Sequence, residues 1–244
     1  MSFEGEAELC GLWRNDFPPV LIHTNLQRMR HADTVLYIRA KAGDYEAAQA
    51  IVSRCIKREK VDLLKNRYSD AIAVPVREQN HQSANMIPIA YAEYLSSFGM
   101  RFDNEIMQIQ MCDHTDADFW TRITNRPQFT GRVEKGEKYV IIDDHVTSGT
   151  TINELRKYIE SSGGLVYGAT TLSASRGSTF LPILPSTVNS LYRKYGAECD
   201  ELLEAAGIAN NVQTLTNKVG WYLLKTSRLR DYRTSDDALS IPNV

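Results

Sequence analysis

The segment 139–151, Tyr-Val-Ile-Ile-Asp-Asp-His-Val-Thr-Ser-Gly-Thr-Thr, constrains the fold of this chain more than any other stretch. Its unbroken apolar run, residues 140–142, suits a strand buried on both faces, as in a parallel sheet. Asp143 and Asp144 then fall at the carboxyl end of that strand, where open α/β sheets receive their ligands. In the hydroxyl-rich turn that follows, Gly149 permits close backbone approach, and a helix from Thr150 turns the positive end of its dipole the same way. Two carboxylates beside such a turn make a place to hold a sugar phosphate.

The flanking sequence supplies partners for that strand. Residues 70–76 form an apolar run ending near Pro75, followed by a polar loop and a helical pattern of Ala84, Ile87, Tyr91, Tyr94, Leu95 and Phe98. Pro88 requires that helix to start nearby or to bend. Residues 106–111 read as a further strand, 112–138 as a long loop, 150–162 as a helix stopped by Gly163-Gly164, and 165–172 as a strand. Upstream, residues 34–38 read as a short strand. Asp44 offers an N-cap to a helix with Ala47, Ala48, Ile51, Val52, Cys55 and Ile56 on one face. This alternation predicts an α/β fold with a central parallel sheet, right-handed crossovers and flanking helices. We divide the chain into a cover or hood (1–34), a core (35–180) and a helical cap with a frayed tail (181–244).

At 244 residues the chain can bury one α/β domain with decoration. A net charge of −2 gives no reason to expect nucleic-acid binding through bulk electrostatics. Cys10, Cys55, Cys112 and Cys199 are scattered with no C-x-x-C pair, which fits reduced thiols. The acidic N-terminus has no signal-peptide core, and no apolar run reaches membrane-spanning length. The expectation is a cytoplasmic protein.

The string 139–151 resembles the phosphoribosyl-pyrophosphate (PRPP) motif of the type I phosphoribosyltransferases, with His145 where that family usually has an aliphatic residue. The resemblance implies that fold, with a variable hood or cap. It also implies that Asp143 and Asp144 meet the ribose hydroxyls, while Thr147, Ser148, Gly149, Thr150 and Thr151 cradle the 5′-phosphate. Val76, Arg77 and Glu78 resemble the pyrophosphate loop, and Arg122 and Arg126 fall where the family carries a lid. Residues 41–44, 74–76 and 126–129 are loosely similar to the ComF-like subgroup, whose amino-terminal cysteine cluster is missing here.

The implied activity is transfer of the 5-phosphoribosyl group from PRPP to a nitrogen nucleophile, such as a nucleobase, with loss of pyrophosphate. Asp143, Asp144 and Arg126 are the implied catalytic residues. Magnesium (Mg2+) is the implied cofactor, carried by PRPP with Asp143 and Asp144 at hand. PRPP, a small-molecule acceptor and a second copy of the chain are the implied partners; the sequence itself carries no strong nucleic-acid signal and no membrane signal. Two alternatives stay open: a PRPP-binding regulator with little catalysis, and a mobile-element or defence effector on the same fold. His145 either titrates at the site or replaces an aliphatic side chain pointing away. His23, His31, His81 and His114 show no metal-ligand spacing. Trp13, Phe17, Phe180, Trp221 and Tyr222 either stack on a base or belong to the core.

Overall fold

The computed structural model describes residues 11–14, 16–31, 33–78, 84–109 and 118–232. Its main sheet has five strands: β1 (Leu21–Ile22), β2 (Ile72–Pro75), β3 (Arg101–Phe102), β6 (Lys138–Val146) and β7 (Leu165–Ala174). Their order is β1-β7-β6-β2-β3, and every pairing is parallel. The acid-bearing strand β6 is therefore central, as its apolar run requires. Side chains alternate across a strand, so Tyr139 and Ile141 enter one core and Val140 and Ile142 the other.

On one face lie α3 (Tyr45–Cys55) and α5 (Ile87–Ser96), which bury Ala47, Ala48, Ile51, Val52, Tyr91 and Leu95. Asp44 caps α3 by accepting from the Ala47 amide at 3.0 Å. Pro88 occupies the first turn of α5, so the helix starts there and does not bend. On the other face α7 (Thr150–Ser161) buries Ile152, Leu155 and Ile159. A third apolar cluster is built from α8 (Pro185–Tyr195), α9 (Cys199–Ala205) and α10 (Asn217–Lys225), the helical region expected after residue 185. The α/β class with a parallel sheet between helices is as the sequence predicts.

Three local expectations are corrected. Residues 34–38 belong to a helix, α2 (Thr34–Lys41), which follows α1 (Leu26–His31). Asp33 caps it by accepting from the Leu36 amide at 3.0 Å, and this outweighs the β-branched side chains. The strand expected at 106–111 shrinks to β4 (Met107–Gln108), which pairs antiparallel with β5 (Phe129–Thr130) outside the main sheet. The sheet's place beside β2 is taken by β3. The Asp103 carboxylate accepts from the amides of Glu105 and Ile106 and turns the chain out after Phe102. The loop expected at 112–138 contains β5 and a capped helix, α6 (Phe119–Thr124), whose Ile123 is buried in the C-terminal cluster.

The helix α4 (Arg58–Arg67) completes the described elements ahead of β2. Cys55 and Cys199 are free and buried, while Cys10 and Cys112 lie outside the described residues. His81, His114 and the tail from residue 233 also lie outside them. Among the described residues, no helix is long and apolar enough to cross a membrane.

Candidate functional site

Strand β6 carries Asp143 and Asp144 to the carboxyl end of the sheet, where both are nearly buried, 8% and 4% exposed. The Asp144 carboxylate meets the half-buried Lys41 ammonium at 2.9 Å and accepts from the Asn85 side-chain amide at 2.9 Å. Lys41 ends α2, so the helix that replaced an expected strand delivers a cation to the acids. Asp143 accepts from the Asp144 backbone amide at 2.8 Å.

The two acids are driven apart electrostatically. Burial pushes the Asp143 carboxyl well above the usual range, and the neighbouring Asp144 charge adds to it. Burial acts on Asp144 too, but the Lys41 charge and hydrogen bond outweigh it and hold Asp144 below its ordinary value. Lys41 is raised in turn, because Asp144 overcomes the effect of its burial. Burial thus works against charge on Asp143, while Lys41 favours charge on Asp144.

Immediately after β6, residues 147–149 turn into α7. Gly149 caps the helix with φ 78°, the left-handed region that glycine enters freely. A β-carbon there would also sit 2.6 Å from Leu181 Cδ2. The hydroxyls of Ser148 and Thr150 bond each other at 2.9 Å, and the Thr150 amide donates to Ser148 Oγ at 3.2 Å. Thr147 and Thr151 stay half-buried at the rim. Val76 adjoins the same end, its amide donating to the Ile142 carbonyl at 2.8 Å.

The structure thus gathers Asp143, Asp144, the turn 147–151 and Val76, and adds Lys41 and Asn85. Other expected residues lead elsewhere. The Arg77 guanidinium donates to the Asn104 carbonyl, and Glu78 bridges to Gln108. Arg126 donates to Glu154 on α7 at 2.7 Å and lines a cleft of about 650 Å³ with Phe129, Lys157 and Tyr158. Arg122 lies on α6, near enough for its charge to act on His145. His145 places Nδ1 2.7 Å from Ser173 Oγ and Nε2 3.0 Å from Ser175 Oγ. Burial lowers its pKa, so the neutral ring is held between two hydroxyls on β7 and its continuation. Of the aromatics, Phe17 is core, Tyr222 packs on Phe119, and Phe180 and Trp221 are exposed.

No family model matches the chain. It is 34% identical to protein TraN of Escherichia coli over 188 residues, 76% of this chain and 42% of that protein. It is 33% identical to an uncharacterized protein of Haemophilus influenzae over 163 residues, 65% of this chain and 36% of that one. The chain spans less than half the length of these curated relatives. Neither of the two bears a ComF-like description.

Among solved structures, an adenine phosphoribosyltransferase from Thermoanaerobacter pseudethanolicus aligns over 54% of this chain and 82% of its own, at 18% identity and a TM-score of 0.31. An orotate phosphoribosyltransferase from Aeropyrum pernix aligns over 89% and 97%, at 17% identity and a TM-score of 0.33. A likeness at that level carries no argument about the site, which rests on its own residues.

Lys41 was visible only as part of a segment similar to the ComF-like group, and Asn85 not at all. Each is more than fifty residues from Asp144, and no local spacing connects them to it.

Proposed function

We propose that this chain binds PRPP and transfers its 5-phosphoribosyl group to a nitrogen nucleophile, releasing pyrophosphate. The observation that carries the reading is one strand–turn–helix unit. A central buried strand carries two acids near its end, and the three residues after the strand turn through a left-handed Gly149 into the N-terminus of α7. Backbone amides and a helix N-terminus suit a phosphate, and acids one step away suit ribose hydroxyls.

In this reaction the bond from ribose C1 to the pyrophosphate oxygen breaks and a C1–N bond forms. The nucleophile's proton leaves to a base. Positive charge develops on the sugar, so positioning and electrostatics supply the catalysis. Asp144, whose charge Lys41 favours, suits that developing charge, and Asp143 stands beside it to meet a ribose hydroxyl. Among the described residues, no group of three or more His, Cys, Asp or Glu side chains is placed to hold a metal. In this reading magnesium would be carried by PRPP with Asp143 and Asp144 at hand, and would neutralise charge on the leaving diphosphate.

A second reading, a PRPP-binding regulator, is favoured by one observation. Arg77 and Arg126, the expected diphosphate ligands, are both engaged by protein groups. For Arg126 to reach a diphosphate it must leave Glu154, unless Arg122 serves as the lid arginine instead, whereas binding through the turn needs neither.

Calorimetric titration with PRPP and magnesium tests the common part. Wild type is expected to bind, and Asp143→Asn/Asp144→Asn to lose roughly two to four powers of ten, at about 1.5–3 kcal/mol for each carboxylate removed. Absence of binding by folded wild type would sink both readings. Pyrophosphate release across a panel of nucleobases then separates catalyst from regulator.

A further inference from the structure

Two hydroxyls from the C-terminal half grip the turn between β6 and α7. Ser178 donates to the Thr147 carbonyl, and Thr216 Oγ1 donates to the Ser148 carbonyl at 2.6 Å. Both side chains are almost fully buried, each 1% exposed. Thr216 also caps α10 by accepting from the Val219 amide at 3.3 Å. The segments bearing the two hydroxyls are tied together, since the Asn217 amide donates to the Leu181 carbonyl at 2.8 Å. Leu181 in turn covers the face of Gly149 that lacks a side chain.

Peptide planarity converts these grips into an orientation. The described chain has no cis peptide bond, and in a trans unit the N–H points opposite to the C=O. Turning the Thr147 and Ser148 carbonyls toward Ser178 and Thr216 therefore turns the amides of Ser148 and Gly149 the other way. Among the described residues, no group accepts from either amide. Buried amides rarely stay unpaired, and two successive ones aimed together suit an anion.

We infer that Ser178 and Thr216 are positioning residues for phosphate binding: they hold the peptide planes of the turn so that the Ser148 and Gly149 amides face the 5′-phosphate. The inference rests on reading that turn as a phosphate cradle. It gives the C-terminal helical region a direct part in substrate binding.

The test is calorimetric titration of wild type, Thr216→Ser, Thr216→Val and Ser178→Ala with PRPP and magnesium and, separately, with ribose 5-phosphate. The Gly149 amide resonance is followed in parallel, and thermal unfolding without ligand reports the structural cost alone. Thr216→Ser keeps both hydrogen bonds and is expected to bind like wild type. Thr216→Val and Ser178→Ala are expected to weaken both ligands by about tenfold, for roughly 1.5 kcal/mol, and to lose the ligand-induced shift at Gly149. Ser178→Ala touches no helix cap and keeps the test open should Thr216→Val fail to fold. Wild-type affinity in the folded Val and Ala variants would overturn the inference and leave the phosphate reading standing. Equal losses in Ser and Val would also overturn it, because the hydroxyl would not be the agent. Wild type that binds neither ligand would remove the phosphate reading and the inference with it.

Discussion

At the residue scale, His23 shows how a buried polar group is made tolerable. It is 2% exposed, and its Nδ1 accepts from the Lys57 amide at 3.0 Å. Nε2 must then carry the proton and donate to Tyr91 Oη at 2.6 Å. Tyr91 donates onward to Thr170 Oγ1 at 2.8 Å, which donates to the Leu21 carbonyl at 2.9 Å. One chain of bonds thus joins α4's entry, α5, β7 and β1. Burial, with Lys60 nearby, lowers the His23 pKa from 6.5 to about 4. The unfolded chain therefore binds the proton first as pH falls, and stability drops between about pH 6.5 and pH 4. The full window is worth on the order of 3 kcal/mol. Urea unfolding of wild type and His23→Gln across that range is expected to show the difference shrinking toward acid. A constant difference would mean that the imidazole stays partnered when charged.

At the element scale, helix α2 is decided by its cap. Val35 and Ile38 are exposed and contribute little burial, so the choice between strand and helix falls to local bonds. Asp33 supplies one at the N-terminus, while Arg39 and Lys41 complement the dipole at the other end. Asp33→Ala is expected to lower the thermal midpoint by a few degrees, with Asp33→Asn close to wild type. Because Lys41 is the last residue of α2, fraying should also loosen its pairing with Asp144. PRPP affinity is expected to fall in the Ala variant and to recover in Asn, by calorimetry. Unchanged affinity in a folded Asp33→Ala protein would separate the cap from the site. The same logic explains α6. Asp118 caps it, and its apolar residues find partners about a hundred residues away in Tyr222 and the C-terminal cluster.

At the scale of the whole molecule, the segment 11–14 staples separate parts of the fold. Arg156 on α7 is fully buried, donates to the carbonyls of Gly11 and Leu12, and lies 4.1 Å from the Trp13 ring. Trp13 Nε1 donates to the Leu215 carbonyl at 2.7 Å, next to the Thr216 that grips the turn between β6 and α7. Trp13→Ala is expected to cost about 2–4 kcal/mol in urea unfolding and to lower the whole transition, since it loosens α7 and the C-terminal cluster together. Loss of the C-terminal cluster alone, seen as two separate transitions, would show that the staple does not couple them.

The sequence alone determined the central strand, the acids at its end, the glycine turn and the helix beyond it. Apolar periodicity, a capping position and a residue free to take φ 78° are local properties, legible in thirteen consecutive residues. It also placed α3, β2, α5 and β7, where burial follows the repeat. Tertiary structure decided how the site is charged and held. Lys41 and Asn85 reach Asp144, and Ser178 and Thr216 reach the turn, across separations with no period to read. It also drew Arg126 to Glu154, because a half-buried carboxylate on α7 attracts a nearby guanidinium whatever its position in the chain.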